Sequence, residues 1–180
     1  SEVSEMREFR GAYRNERYAG LYEPMRRAMA AMGKAMWWFA ALKEQTWYQG
    51  YAGVTAAIHA LEHKQPEYID ELKDIMAKLG LPLSYPPIPE LDMEYPGLSG
   101  TFDMCIGLLD EVNDALSGIV EVCDTANYEP LARYAENVQM ENFQDRQWLV
   151  EANTMAENGD GSTTSYDSWF VNILKAPQKQ

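Results

Sequence analysis

Cysteine and histidine are scarce in this sequence, with two residues of each. Cys105 and Cys123 fall in a segment that we predict to be one continuous helix, where they would lie about 27 Å apart along the axis. A disulfide requires Cα atoms within about 7 Å of each other, so the two cysteines cannot pair within that helix. The cysteine usage therefore gives no indication of an oxidising compartment.

Positive charge is also scarce. The chain has 15 Lys and Arg against 28 Asp and Glu, which gives a formal net charge of -13. Because phosphate binding depends on clustered Lys and Arg, this composition argues against a nucleic-acid partner. An acidic surface is compatible with cation handling, and simple solvation of the surface is the alternative explanation.

Long apolar runs are missing as well. The longest run, AMAAMGKAMWWFAAL, is too short to span a bilayer and contains Lys34. The first ten residues, SEVSEMREFR, are charged and lack the apolar region of a secretory signal. We therefore expect a cytoplasmic protein with no membrane partner.

No segment alternates polar and apolar residues over the length of a strand, so the sequence predicts an all-α fold. Apolar residues instead recur every three to four positions in four long stretches. These stretches predict helices over 24–45, 54–79, 99–124 and 129–157, with shorter helices ending near Gly20 and covering SYDSWFVNIL. We assign residues 1–21 to an N-terminal helical extension, 22–160 to a four-helix bundle, and 161–180 to a linker and a short C-terminal helix.

The connection between the second and third long helices is long and rich in proline: GLPLSYPPIPELDMEYPGLSG. Proline disfavours both helix and central strand, so we predict an ordered crossover along the surface. Such a crossover lets the two helices that it joins run parallel, as in bundles with one long connection. Pro66, inside the second long helix, predicts a kink in its axis.

In this layout the chain resembles the ferritin family and its mini-ferritin relatives. The resemblance is carried by two helices, a proline-bearing crossover after AKLGLPLSYPPIPE, two further helices and a short terminal helix, SYDSWFVNIL. It implies a homo-oligomeric cage that oxidises ferrous iron and stores the mineral. Family members hold iron with inward carboxylates and a Glu-x-x-His pair within each bundle.

The diiron ligands implied by the resemblance are missing from this sequence, which contains no Glu-x-x-His. Aligning the family's pattern places Lys64 and Glu67 where the Glu and His of that pair stand. The same alignment places Met29, Gly118 and Asn142 at or near the other ligand positions. A lysine carries the same sign of charge as the metal, so the resemblance implies that the usual ferroxidase centre is absent. Any enzyme activity would be ferroxidase at a non-standard site, and we lean towards a protein that is not an enzyme.

Four candidate metal ligands lie close together in the second long helix: His59, Glu62, His63 and Glu67. The string HALEH also matches the H-x-x-E-H of inverted zinc proteases, in which two imidazoles one turn apart hold zinc. Here the chain has no third histidine, which argues against a protease.

Helical angles place His59, His63 and Glu67 on the outer side of the bundle. At 100° per residue the apolar face of the second long helix centres near Leu61, Gln65 and Leu72, and the histidines point roughly 130° to 180° away. Two explanations remain open. The cluster is either a solvated helix face or a metal site at a subunit contact, as in the mini-ferritins.

A second candidate site lies on the fourth long helix, where Glu141, Asn142 and Asp145 interrupt the predicted inward face. A buried carboxylate is costly unless it is paired or hydrogen-bonded. The predicted partners are Gln65, Tyr68 and Tyr134. We expect a structural polar layer, and a mononuclear metal site at Glu141 and Asp145 is the alternative.

The third long helix carries a carboxylate stripe opposite its apolar face, formed by Asp103, Asp110, Asp114 and Glu121. The stripe faces water, or the interior of a cage, where it could nucleate mineral. The first hypothesis for function is therefore storage or binding of iron or another divalent metal. The second is a non-enzymatic structural or interaction protein that keeps the fold without metal chemistry. Both include a homo-oligomer, because aromatic residues such as Trp47, Tyr48 and Tyr51 suggest subunit contacts.

Overall fold

The fold is built from helices, and the computed structural model describes it for residues 16–87, 90–159 and 162–175. A short 3-10 helix, Glu16–Leu21, precedes five α-helices: α1, Tyr22–Tyr48; α2, Ala52–Lys78; α3, Gly97–Ala126; α4, Glu129–Asn158; and α5, Thr163–Lys175. The described residues contain no strand, so the predicted all-α class is confirmed. The helices begin and end within three residues of their predicted bounds. Most of the predicted N-terminal helix lies outside the described residues.

Helices α1 and α2 form a hairpin with a tight turn. The Tyr51 amide donates to the Thr46 carbonyl at 2.9 Å, and Gly50 adopts a φ of 92°, a conformation that favours glycine. The hydroxyls of Thr46 and Thr55 lie 2.7 Å apart across the two helices. This turn fixes the register of α1 against α2, and hence which side chains of the two helices meet.

The second hairpin, α3 and α4, packs on the first through α1, which contacts both α2 and α3. Between α2 and α3 the described residues, 79–87 and 90–96, form neither a regular helix nor a strand. The Tyr22 hydroxyl lies 2.9 Å from the Ser84 hydroxyl and ties the crossover to α1. Pro66 lies in the middle of α2, which is helical on both sides of it.

The core follows the predicted apolar faces of the helices. Its largest fully buried side chains are Phe39, Phe102, Phe170, Leu21, Met25, Met32, Leu42, Ile58, Leu61, Leu72 and Met76. Phe170 comes from α5 and stacks against Phe102 of α3 with ring centroids 6.2 Å apart. The short terminal helix is therefore packed into the bundle.

Helix α5 also caps α2. No side chain of its own caps the N-terminus of α2, and the Asp167 carboxylate accepts instead from the amides of Gly53, at 2.9 Å, and Val54, at 3.1 Å. A Cβ added at Gly53 would lie 2.3 Å from Val171 Cγ2, so only glycine permits this approach. The first turn of α2 thus depends on a residue near the other end of the chain.

Among the residues that the structure describes, no helix is both long enough and apolar enough to cross a lipid bilayer.

Candidate metal centre

Three side chains on consecutive turns of α2 bring ligand atoms together: His59, Glu62 and His63, hereafter the histidine cluster. Their ligand atoms all lie within 4.8 Å of one another. The two imidazole centroids are 4.2 Å apart, and His59 Nδ1 lies 3.7 Å from Glu62 Oε2. Two imidazole nitrogens and one carboxylate oxygen form a donor set typical of zinc and other first-row transition metals.

The histidine cluster faces outward, as the helical angles predicted. His59 and His63 are exposed, whereas Leu61 and Gln65, from the opposite side of α2, are each 1% exposed. The fourth predicted ligand, Glu67, is exposed but is not part of the cluster.

Lys43 of α1 reaches into the histidine cluster, a contact that the sequence analysis missed. Its ammonium lies 2.9 Å from His59 Nδ1 and forms an ion pair with Glu62. The Lys43 and Glu62 side chains are only 15% and 18% exposed. This contact could have been predicted from the sequence. Residues at similar distances from a turn lie side by side in a helical hairpin, and Lys43 and His59 flank the turn at Gly50 in this way. The cluster therefore already holds one positive charge between two of its ligand atoms.

The second candidate site differs from its prediction at Glu141. Glu141 is exposed rather than inward, because the buried face of α4 runs through Val138, Asn142 and Leu149, and Glu141 lies 100° around the helix from Asn142. Its carboxylate accepts a hydrogen bond from the Tyr68 hydroxyl at the boundary between α2 and α4. The predicted partnership of Tyr68 with this carboxylate is confirmed.

Asp145 is held by two donors. Lys64 of α2 donates to one carboxylate oxygen at 2.8 Å, and the Trp148 indole donates to the other at 3.0 Å. The carboxylate is 13% exposed, and the Lys64 ammonium supplies a compensating charge in this largely dry position. Metal binding at Asp145 would have to displace that ammonium.

Between the helices lies a neutral polar layer. Asn142 donates to the Asn113 side-chain oxygen at 2.8 Å, and Gln65 donates to the Leu61 carbonyl at 3.2 Å. The side-chain oxygens of Gln65 and Asn142 accept no hydrogen bond from the described residues. Every fully buried polar side chain in the described part of the chain is uncharged.

Two tyrosines complete this layer. The Tyr134 hydroxyl donates to the Tyr68 carbonyl at 2.6 Å. Burial raises the pKa of both phenols well above the ordinary value, and the hydrogen bond to Glu141 raises that of Tyr68 further. Both phenols are therefore neutral hydrogen-bond donors at physiological pH, as a structural layer requires.

The carboxylate stripe lies on the outer side of α3, where it was predicted. Asp103, Asp114 and Glu121 are exposed, and Asp110 is half-buried beside Arg146, whose guanidinium donates to it at 3.0 Å. Asp103 accepts from the Asn153 amide at 2.6 Å. Only Asp114 and Glu121 have no hydrogen-bond or ion-pair partner among the described residues, so the stripe offers two unengaged carboxylates.

The sequence matches no protein-family model and no curated protein. Solved structures do resemble the chain. A ferritin from M. penetrans has a TM-score of 0.77 at 13% identity, covering 91% of this chain and 99% of that one. An open pore ferritin from the hyperthermophilic archaeon Archaeoglobus fulgidus has a TM-score of 0.75 at 11% identity, covering 94% and 99%. The chain has a ferritin-like fold. A bacterioferritin from Mycobacterium tuberculosis agrees, with a TM-score of 0.73 at 14% identity over 86% of this chain and 95% of its own.

The predicted ferritin-like bundle with one long crossover is thereby confirmed. A diiron centre in such a bundle requires carboxylates and histidines that project inward from facing helices. The interior of this ferritin-like bundle offers amides and neutral phenols, with an ammonium beside Asp145, in the residues that the structure describes. These donors do not fit a diiron centre.

Proposed function

We propose that this chain is a metal-binding protein of ferritin-like fold that takes up divalent metal at the histidine cluster and stores iron as a homo-oligomer. The observation that carries the proposal is the convergence of three ligand atoms on the outer side of α2. The fold and the net charge of -13 support it, because acidic surfaces attract cations. Two buried, unpaired thiols, Cys105 and Cys123, are compatible with a reducing compartment such as the cytoplasm.

On this proposal the ferroxidase site of the bundle interior is degenerate. Met29 and Asn142 are buried at or near positions where the family's pattern has ligands, and neither supplies a charge. Iron would therefore enter at the surface as cargo. Three protein ligands at the histidine cluster would leave coordination positions for water or for a residue of a second subunit.

Storage requires a second feature, a surface on which many ions collect. The carboxylate stripe supplies it on this proposal, because hard oxygen ligands suit hydrated iron and can bridge neighbouring ions. Asp114 and Glu121 are its unengaged members, whereas Asp110 is already paired with Arg146.

The first experiment is iron per chain after aerobic ferrous loading and gel filtration, with the particle mass measured in the same run. We expect many irons per chain in a large particle. The variant Asp103→Asn, Asp110→Asn, Asp114→Asn, Glu121→Gln should take up less iron at unchanged particle mass. The matched control removes four exposed carboxylates elsewhere: Glu44→Gln, Asp124→Asn, Glu136→Gln and Glu151→Gln. Equal uptake by the stripe and control variants would count against the stripe.

The second candidate function is a structural or interaction protein without metal chemistry. The observation that favours it is that Lys43 and Lys64 already neutralise a carboxylate in each candidate site. Exposed apolar side chains on α4, Met140 and Phe143, would then serve a protein partner. This alternative predicts a melting temperature that is indifferent to Fe²⁺ and Zn²⁺, since a ligand that binds only the native state must raise it.

A further inference from the structure

Lys43 occupies the place in the histidine cluster where a metal ion would bind. Its ammonium contacts Glu62 Oε2 and lies 2.9 Å from His59 Nδ1, so it engages two of the three side chains of the cluster. An ammonium has donors only, so His59 Nδ1 must present its lone pair to it. The His59 imidazole is thus already turned with Nδ1 towards a cation.

The charge balance of the cluster supports the same conclusion. The Glu62 carboxylate is 18% exposed, and a carboxylate so far from water requires a counter-cation or several donors. A divalent ion would satisfy Glu62 and gain both imidazoles at once, because the two rings stand 4.2 Å apart on adjacent turns. The lysine's flexible four-carbon stem allows its ammonium to move into solvent when the ion arrives.

We infer that Lys43 is a built-in counter-cation, which a divalent transition metal displaces from Glu62 and His59 on binding. This inference rests on the proposed function, whose metal site it regulates. The mixed nitrogen and oxygen donors select zinc, ferrous iron and similar ions over Mg²⁺ and Ca²⁺, which require oxygen ligands. Displacement sets a threshold, because the metal must compete with an ammonium that is always at high effective concentration.

The test is the affinity for Zn²⁺, a redox-inert probe, measured by titration calorimetry at fixed pH and ionic strength. Lys43→Met keeps the aliphatic stem and removes the competing charge, so we expect Zn²⁺ to bind at least tenfold more tightly than to the wild type. The matched control is Lys34→Met, also on α1, whose ammonium pairs with Glu111 of α3 at 2.9 Å. It should leave the affinity unchanged.

A second readout is thermal stability. Without metal, Lys43→Met leaves the Glu62 carboxylate without its cation and lowers the melting temperature. Saturating Zn²⁺ should then raise the melting temperature more in this variant than in the wild type. If the methionine variant does not fold, Lys43→Gln serves in its place, since its amide still donates to Glu62 without carrying charge. A smaller rise in affinity, at least threefold, is then expected.

The outcomes separate the inference from the proposed function. Equal affinity of Lys43→Met and the wild type, with binding abolished by His59→Ala/His63→Ala, would overturn displacement and leave the metal site standing. If the wild type and both Lys43 variants bind no Zn²⁺, the metal site itself is wrong, and the displacement inference falls with it.

Discussion

At the scale of single residues, the ion pair between Lys64 and Asp145 places a cation of the protein itself beside a largely buried carboxylate. Asp145 is 13% exposed and its charge is balanced by the Lys64 ammonium at 2.8 Å. Replacing only the lysine leaves the partly buried carboxylate without a counter-charge, which is destabilising. Replacing both partners with neutral residues removes that uncompensated charge. The pair is therefore a local test of whether Asp145 serves structure or metal.

We expect Lys64→Met to lower the free energy of unfolding by about 1 to 2 kcal/mol, at the low end for such a pair because Lys64 is 36% exposed. Lys64→Met/Asp145→Asn should recover most of the loss, since the asparagine oxygen can still accept from Trp148. The measurement is urea unfolding of the three proteins. Lys78→Met is the control, because its pair with Asp74 is exposed and should leave the midpoint unchanged. A loss in the double variant as large as in the single one would contradict this account.

The sequence predicted which side chains are buried better than it predicted which side chains meet. The spacing of Leu61, Gln65 and Leu72 was enough to place His59 on the outer side of α2. Lys43 was missed because it belongs to another helix, and periodicity within one helix carries no information about the register between two. Contacts between two helices depend on the geometry of the turn that joins them. For α1 and α2 the structure gives that geometry, with Gly50 at a positive φ.

Glu141 illustrates the second limit. Neighbouring residues of a helix point 100° apart. The predicted buried face of α4 was one residue too wide, and it therefore included the exposed Glu141 next to the buried Asn142. Its hydrogen bond to Tyr68 was predicted all the same, because a carboxylate on that face requires a hydrogen-bond partner.

At the scale of elements, the docking of α5 on α2 depends on one glycine. Gly53 lies in the first turn of α2, and a Cβ there would lie 2.3 Å from Val171 Cγ2 and 3.1 Å from an oxygen of Asp167. Elsewhere in a helix, alanine is favoured over glycine by roughly 0.5 to 1 kcal/mol. The steric clash at Gly53 destabilises an alanine variant, whereas the helix propensity of alanine stabilises it. Which effect is larger depends on the surroundings of the particular glycine.

We expect Gly53→Ala to lower the melting temperature despite the better helix propensity of alanine, because Val171 and Asp167 must move and the cap is lost. The matched control is Gly107→Ala in the middle of α3, where a Cβ would meet nothing within 4 Å. That change should stabilise the protein by about 0.5 to 1 kcal/mol. Thermal unfolding of both variants makes the comparison. A stabilised Gly53→Ala protein would show that α5 does not hold α2 as the structure indicates.

Periodicity predicted the bounds of the helices within three residues, but it gave no sign that α5 caps α2. The Asp167 contact joins residues 114 positions apart, and neither end carries a local signal of the other. The absence of a Ser, Thr, Asp or Asn before Ala52 was the one available hint, since the free amides of an uncapped first turn need an acceptor from elsewhere.

At the scale of the whole molecule, the buried acids predict a loss of stability in alkali. Burial raises the pKa of the Cys123 thiol to about 11, above its unfolded value of 9.0, and burial also raises the pKa of Tyr68, Tyr134 and Tyr166. A raised pKa of this kind favours folding while the group is protonated. This stabilisation is complete below about pH 9, where the thiol is protonated in both states. It is lost as the pH rises towards the pKa of the folded state, because the unfolded state releases its proton first.

We expect the free energy of unfolding to be flat between pH 7 and 8.5 and to fall steadily between pH 9 and 11. Urea unfolding at a series of pH values makes the measurement. Cys123→Ala removes one of the two thiol contributions in that window and leaves that of the buried Cys105, so its curve should fall less steeply there. Stability that increases from pH 9 to 11 would contradict the burial of these groups.

The capping of α2 by Asp167 also bears on the order in which the molecule is assembled. During synthesis the amides of Gly53 and Val54 leave the ribosome 113 to 114 residues before their acceptor does. At 5 to 20 residues per second that interval lasts roughly 6 to 23 s. The amides at the start of α2 therefore lack this acceptor until Asp167 has been translated.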